Sequence, residues 1–270
     1  MICEVMATMT GVLHPSPMFG PELRRWRDAR RLSQEALAGA AGFSPRHVSC
    51  LERGVAWPSE PMVLRLSRAL DLPLRERNAL LGTAGYAARW SDAGDKVPEA
   101  LLPAVDRLLG GAPWPAYALS GTYRVLRANA AGWALLNVLR PGAGEGLDLI
   151  RAFAGPGPHR TLIEDFPRVA RSFLARARAD AAQQGPTSPL WAAVDEAEKH
   201  LEGEPGGDDQ PPTAEAVLPV TLTLGDQRTR WLTVLLGFGS PQDAMVEQLT
   251  IEQFMPADEA TEASARRLFG

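Results

Sequence analysis

Hydrophobic positions between residues 20 and 90 recur three and four apart, which is the spacing of short amphipathic helices. Val48 and Leu51 are one such pair. The stretches PMVLRLSRAL and LRERNALLG continue the pattern further along the chain. It predicts five short helices packed into a compact all-α domain.

Residues that favour helix ends separate the first of these segments. Ser33 and Ser44 are good N-caps, because a serine hydroxyl accepts a hydrogen bond from a backbone N–H of the first helical turn. Pro45 suits the first helical position. Gly42 favours the end of the preceding helix, because glycine adopts the left-handed conformation readily. Residues 33–54 are therefore predicted to form a helix, a glycine turn and a second helix.

Beyond residue 98 the pattern becomes a mixture of helical spacing and strand-like runs. Helical segments lie between the second and third of these runs. Two groups of strands around a group of helices predict an α+β domain with an antiparallel five-stranded sheet. The predicted strands cover residues 114–120, 122–128, 217–224, 229–238 and 246–254.

Turn-forming residues divide the chain into domains. The polar segment SDAGDK predicts a linker, and the acidic, Gly- and Pro-rich residues 202–213 predict a loop. The predicted organisation is a disordered tail over 1–19, a five-helix domain over 20–90, a linker over 91–97 and a second domain over 98–270.

The charge is distributed unevenly between these domains. The net charge is −4, but Gly20 to Trp90 contain 12 Arg, no Lys and 7 acidic residues, a balance of +5, and the rest of the chain carries −9. A basic module beside an acidic one is typical of a nucleic-acid binder whose other domain has a separate role.

Several other classes of protein are disfavoured. The two cysteines, Cys3 and Cys50, have no metal or redox spacing, which suits a reducing cytoplasm. No apolar run approaches the roughly 20 residues that span a bilayer, so no membrane association is expected. The four histidines are scattered, without a zinc-protease motif, nucleophile elbow or phosphate-binding loop. We therefore expect no catalytic residues, no metal site and no enzyme.

Residues 33–54 resemble the helix-turn-helix of the repressor family that includes the lambda-type and Xre-type regulators. In that family the third helix lies in the DNA major groove. The resemblance implies that the helix after Ser44 reads double-stranded DNA, and that Arg27 and Glu52 form an internal ion pair. The matching positions are Ser33, Gln34, Leu37, Ala38, Ala41, Gly42, Ser44, Val48, Leu51, Glu52, Gly54, Pro58 and Ser59.

The resemblance also implies a set of DNA-contacting residues. Arg46 can bind guanine with two hydrogen bonds, and Gln34, at a helix N-terminus, would contact a phosphate. An αα-hairpin without a ligand is the alternative, and an RNA-binding role is disfavoured because the exposed helix lacks stacking aromatics. The predicted DNA-binding residues are Gln34, Ser44, Arg46, His47, Ser49, Cys50 and Arg53.

Three segments of the second domain resemble the ligand-binding domain of MmyB-like regulators: residues 114–136, 169–180 and 235–261. This resemblance implies a PAS-like fold and a small apolar ligand such as a fatty acid, with no other cofactor. The sequence departs from the family between residues 181 and 216, so ligand contacts in that region are not implied.

The apolar side chains of this domain would form either a ligand pocket or a filled core. Asn129 and Arg178 are polar candidates for orienting a ligand. Their alternative roles are a helix cap for Asn129 and a solvated or helix-paired charge for Arg178. The predicted ligand-binding residues are Asn129, Phe166, Phe173, Arg178, Trp191, Leu222, Val234 and Leu236.

These observations together predict a cytoplasmic, sequence-specific transcription regulator that senses a small apolar ligand. A homodimer is expected, because this motif usually binds two half-sites one helical turn apart. The alternative is a regulator whose C-terminal domain is a constitutive dimerisation or protein-interaction module without a ligand.

Overall fold

The computed structural model of the protein describes residues 18–204 and 217–269. Residues 1–17 of the predicted disordered tail, and residues 205–213 of the predicted loop, lie outside this part of the chain. The described residues form two compact units. The first contains the residues up to Trp90 together with Gln184–Pro186, and the second contains the others from Ser91 onward. Neither unit contains a helix long and apolar enough to cross a membrane, as far as the chain is described.

The first unit is entirely helical, as predicted. Ser33 Oγ accepts a hydrogen bond from the Ala36 N–H at 3.0 Å, and Ser44 Oγ accepts one from the His47 N–H at 3.2 Å. Gly42 separates the two helices with a φ of 68°. The helices are α1 (Phe19–Ala29), α2 (Gln34–Ala41), α3 (Pro45–Glu52), α4 (Glu60–Ala69) and α5 (Leu74–Thr83).

The second unit combines helices with a single five-stranded sheet. A short 3₁₀ turn at Glu99–Leu101 leads into its first helix. The helices are α6 (Leu102–Gly111), α7 (Ala130–Leu139), α8 (Leu149–Ala154), α9 (His159–Leu162), α10 (Phe166–Gln184), α11 (Leu190–Lys199), α12 (Ala244–Gln248) and α13 (Glu259–Phe269). The strands are β1 (Ala116–Leu119), β2 (Val125–Ala128), β3 (Val220–Leu224), β4 (Gln227–Gly237) and β5 (Thr250–Pro256).

The strands are ordered β2-β1-β5-β4-β3, and every neighbouring pair is antiparallel. Gly225, with a φ of 63°, lies in the tight turn between β3 and β4, where the sequence predicted a hairpin. The prediction of an α+β, PAS-like domain with an antiparallel five-stranded sheet is therefore confirmed.

The fifth predicted strand begins later than expected. Residues 246–248 belong to the short helix α12 rather than to β5. Asp243 causes the difference, because its Oδ1 accepts hydrogen bonds from the N–H groups of Met245 at 2.8 Å and Val246 at 3.2 Å. Such a cap satisfies the free N–H groups of a helical first turn.

The two faces of the sheet pack against different helices. Tyr117 and Phe254 belong to a large core shared with α7, α8, α10 and α11. Ala118 and Ile251, on the opposite face, pack with α6 in a smaller core. The sheet is thus covered by helices on one face and, along β1 and β5, by α6 on the other.

Candidate DNA-binding surface and ligand cavity

α3 buries one face in the first unit and leaves the other accessible. Val48 and Leu51 are both 0% exposed and fix the helix in the core. Residues spaced three, four and seven positions apart share one face of a helix. One such series of residues lies on the face of α3 opposite Val48 and Leu51. The accessible face consists of Arg46, Ser49, Cys50 and Arg53.

A buried ion pair positions the C-terminal end of α3. Arg27 Nε donates to Glu52 Oε1 at 2.6 Å and Arg27 Nη2 donates to Oε2 at 3.1 Å. The Glu52 carboxylate raises the pKa of Arg27, although burial of the guanidinium opposes this shift. Gln34 Nε2 also donates to Glu52 Oε2, at 2.8 Å. These contacts join α1, α2 and α3 through a single carboxylate.

The predicted DNA-contacting side chains differ in how they are held. Arg53 lies along its own helix, donating from Nε to the Ser49 carbonyl at 3.2 Å. His47 stacks on Phe43 with ring centroids 5.9 Å apart. Arg46 is exposed and makes no hydrogen bond or ion pair with any described residue. Its guanidinium is therefore available to an external acceptor.

A further arginine lies beside the turn between α2 and α3. Arg65 Nη2 donates to the Gly42 carbonyl at 3.1 Å, and its guanidinium lies 4.4 Å from the centroid of Phe43. The sequence pattern does not identify this contact, because Arg65 lies on α4 and no local spacing connects it with the turn. It adds an exposed positive charge at the N-terminal side of α3.

The second unit contains a cavity of about 270 Å³ between the sheet and the helices. Its lining is mostly apolar and includes Leu136, Phe153, Val169 and Phe254. Small-molecule sites commonly combine such a lining with a few polar groups. The side chains with polar groups here are Tyr117, Arg140, His159, Ser172, Arg176, Thr233 and Glu252.

Arg176 and Glu252 form an ion pair in the cavity wall. Arg176 Nη2 donates to Glu252 Oε2 at 2.8 Å, and the Glu252 side chain is 7% exposed. Burial raises the pKa of Glu252, while Arg176 opposes the shift. The Arg176 guanidinium also lies 5.4 Å from the Phe173 ring and 5.7 Å from the Tyr123 ring. The pair thus joins α10 to β5 inside an apolar environment.

One predicted ligand-binding residue, Phe173, lines this cavity. Phe166 packs against Phe153 at a centroid distance of 5.4 Å but is not part of the lining. Leu222 is 1% exposed in the core beside it, and Trp191 packs on the same core. These three therefore support the cavity from outside its lining.

The side chains of β4 that face the cavity are not the ones that the sequence predicted, but their neighbours one position along the strand. Trp231 is buried and Thr233 lines the cavity, whereas Val234 and Leu236 are 39% and 43% exposed. Side chains alternate between the two faces of a strand, so Val234 and Leu236 point away from the cavity. The run WLTVLL has apolar residues at both alternations, which is why its pattern did not identify the inner face.

The two polar candidates lie outside the cavity lining as well. Asn129 caps α7, where its Oδ1 accepts from the Gly132 N–H at 2.7 Å, and its Nδ2 donates to the Trp114 carbonyl at 2.8 Å. Arg178 forms ion pairs with Asp195 and Glu198 on an exposed surface. Both residues thus occupy the alternative roles that the sequence left open.

We expect Asn129→Ala to destabilise the second unit by about 2–4 kcal/mol, because it removes a helix cap and leaves several buried backbone groups without partners. Urea denaturation of the full chain measures this loss. Arg178→Ala is the matched control, since exposed ion pairs contribute about 0–1 kcal/mol. Equal losses in the two variants would contradict the structural role of Asn129.

The sequence pattern does not identify the cavity's own polar residues. His159 is one of four scattered histidines in the sequence, and Arg176 and Glu252 are separated by 76 positions in the chain. The helical sequence of α10 contains several arginines, and its pattern does not show which of them faces the cavity. Among the described residues, no group of three or more His, Cys, Asp or Glu could hold a metal ion.

Two family models match the chain. The model of the MmyB-like transcription regulator ligand binding domain matches residues 101–268. A helix-turn-helix domain model matches residues 19–80. No curated protein shows a significant match. The first match covers the unit with the cavity, and the second covers all of α1 to α4 and most of α5.

Proposed function

The chain belongs to the MmyB-like transcription regulators, and from this premise we propose that it is a sequence-specific regulator whose C-terminal domain responds to a small apolar ligand. The helix-turn-helix makes it a DNA-binding protein. The proposal that the protein recognises a specific DNA sequence rests on the accessible face of α3. There the Arg46 guanidinium has no partner among the described residues.

The accessible face of α3 has chemistry suited to the major groove. A guanidinium reads guanine through two hydrogen bonds to O6 and N7. Ser49 and Cys50, beside Arg46, are small enough to let the helix approach the base edges. Arg53 and Arg65 add positive charge near the ends of the helix, where phosphates would lie. The helix thus combines base-reading and phosphate-binding groups on one side.

The cavity supports a ligand of apolar character. Its volume of about 270 Å³ is close to the lower end of ligand pockets, roughly 300–1,000 Å³. A ligand there would contact α10 and β5 together. Binding that favours one arrangement of these elements would shift the population of DNA-binding states. We further propose a cytoplasmic homodimer, because two copies can contact two half-sites of an operator.

A second candidate function is a constitutive dimerisation domain without a ligand. The observation that favours it is the exposed apolar end of β4, where Val234, Leu235 and Leu236 are 39%, 46% and 43% exposed. Adjacent exposed apolar residues are common at protein interfaces. This alternative requires that the cavity has no ligand in the functional protein.

One experiment tests the proposed function. An operator is first selected from random DNA duplexes with the full-length protein, and its mobility shift is then measured at two salt concentrations, before and after delipidation. We expect a specific complex that weakens with salt, because phosphate contacts release counterions, and whose affinity changes on delipidation. Native mass spectrometry should show a bound mass that denaturation releases.

The alternatives give different results. Specific DNA binding that is unaffected by delipidation, with no co-purifying mass, would favour the dimerisation domain. Failure to select any sequence would contradict sequence-specific binding.

A further inference from the structure

His159 places a buried imidazole in the cavity wall. The residue begins α9, is 1% exposed and lines the cavity. Its ring is held between aromatic neighbours, with centroid distances of 5.7 Å to Phe153 and 5.3 Å to Phe166. The orientation of the imidazole is therefore fixed by packing.

The two ring nitrogens of His159 have different surroundings. Nδ1 lies 3.2 Å from the Leu139 carbonyl oxygen. A carbonyl oxygen only accepts hydrogen bonds, so Nδ1 carries the hydrogen in the neutral ring and Nε2 has a free lone pair. Nε2 is buried and has no hydrogen-bond partner among the described residues. Buried polar atoms are normally satisfied, so this acceptor calls for a donor that the described residues do not supply.

The imidazole is kept neutral by its surroundings. Burial lowers the pKa of His159, the carbonyls of Phe153 and Leu139 oppose the shift, and the positive charges of Arg140 and Arg160 lower it further. Both guanidiniums have acceptors of their own. Arg140 Nη1 donates to the Pro156 carbonyl at 2.6 Å, and Arg160 Nη2 donates to Glu204 Oε1 at 2.5 Å.

These groups restrict what the polar end of a ligand can be. Arg140 also lines the cavity, and two positive charges beside the imidazole disfavour an ammonium group. An ester or ether offers only acceptors and cannot satisfy Nε2. A hydroxyl group can donate to Nε2 while it tolerates nearby positive charge. The lining has two further groups that could lose a proton. Glu252 is already engaged by Arg176 at 2.8 Å, and burial raises the pKa of the Tyr117 hydroxyl.

We propose that His159 Nε2 accepts a hydrogen bond from an O–H at the end of the apolar ligand, supplied by a long-chain alcohol or by a carboxylic acid. This inference rests on the proposed ligand-sensing function and specifies the chemistry of the ligand's polar end. Arg140 lies beside the same imidazole and favours an oxygen-bearing group there.

The two ligand classes differ in their proton balance. An alcohol brings its own hydrogen and binds without proton exchange. A fatty acid is an anion in neutral water, so its bound form takes up one proton from solvent, shared between the carboxyl oxygen and Nε2. No covalent bond forms or breaks. Above the pKa values of the free acid and of His159, acid affinity therefore falls about tenfold per pH unit, whereas alcohol affinity stays constant.

Calorimetric titration of the delipidated full chain tests the proposal with three probes: decanol, decanoic acid and methyl decanoate. We expect decanol to bind about tenfold more tightly than methyl decanoate, which is the usual effect of one hydrogen bond in a buried site. Decanoic acid should show the tenfold loss per pH unit between pH 7 and 9. In His159→Phe, which keeps a ring between Phe153 and Phe166, the preference for decanol over methyl decanoate should disappear.

Each contrary result has a distinct meaning. Equal binding of decanol and methyl decanoate by the unchanged protein would overturn the role of His159 and leave the apolar-ligand function in place. A preference for decanol that persists in His159→Phe would place the hydrogen bond on another group of the lining, such as Glu252 or Tyr117, and overturn the proposal. Binding of none of the three probes would overturn both the proposal and the ligand-sensing function. The comparison of probes on the unchanged protein remains decisive if the variant does not fold.

Discussion

Replacing Arg46 by alanine is expected to lower the affinity of the protein for its selected operator by about 5- to 150-fold, the equivalent of roughly 1–3 kcal/mol for a lost bidentate contact to a base. Arg46 is exposed on α3 and has no partner among the described residues, so its removal leaves the fold unchanged. Competition titrations of specific and unrelated duplexes, with circular dichroism to monitor folding, measure the effect.

Two further variants distinguish the recognition of bases by Arg46 from the general contribution of its positive charge to DNA binding. Arg46→Lys keeps the positive charge but loses the planar fork, so it should retain non-specific binding while losing much of its preference for the operator. Arg24→Ala removes an equal charge from the exposed surface of α1, where Arg24 is 68% exposed, and should change specific binding little. Unchanged operator affinity in a folded Arg46→Ala protein would show that α3 does not read bases through this residue.

Replacing Glu52 by alanine is expected to destabilise the helical domain by about 3–5 kcal/mol, because the buried Arg27 guanidinium loses its only buried carboxylate partner among the described residues. Gln34 would lose its acceptor as well. Because α3 would then no longer be held in position, DNA binding should also decrease, even though Glu52 itself is buried. Thermal and urea unfolding of the full chain measure the stability loss.

Asp28→Ala provides a control that involves the same arginine. Asp28 Oδ1 lies 2.7 Å from Arg27 Nη1, but the Asp28 side chain is 55% exposed, whereas that of Glu52 is 3% exposed. We expect a loss of about 0–1 kcal/mol for this solvent-exposed partner. Similar losses in the two variants would show that burial of the Arg27–Glu52 pair does not determine its contribution.

The sequence predicted the helical domain well, because each of its signals acts locally. Ser44 and Gly42 define helix ends through contacts within a few residues. Val48 and Leu51 identify the buried face of α3 by their spacing alone. The Arg27–Glu52 pair is not local, but the family resemblance implied it, and the structure confirms it.

The ligand cavity was predicted less completely, because it depends on contacts between distant segments. Strand alternation could not determine the inner face of β4, where Trp231, Leu232, Val234 and Leu235 are all apolar. Asn129 is a polar residue of the kind that can orient the polar end of a ligand, but in the structure it caps α7. The cavity's polar set comes from β1, α9, α10, β4, β5 and the residue that follows α7, and no sequence spacing connects these elements.

The position of β5 within the sheet has a mechanical consequence. This strand lies between β1 and β4. Its residues Glu252 and Phe254 form part of the cavity wall. Ile251, on the other face of the sheet, packs with Val105 and Leu109 of α6. A close-packed interior transmits displacement rather than absorbing it. A ligand that displaced β5 outward would therefore also displace α6, so the cavity is mechanically coupled to the first helix of the domain through this strand.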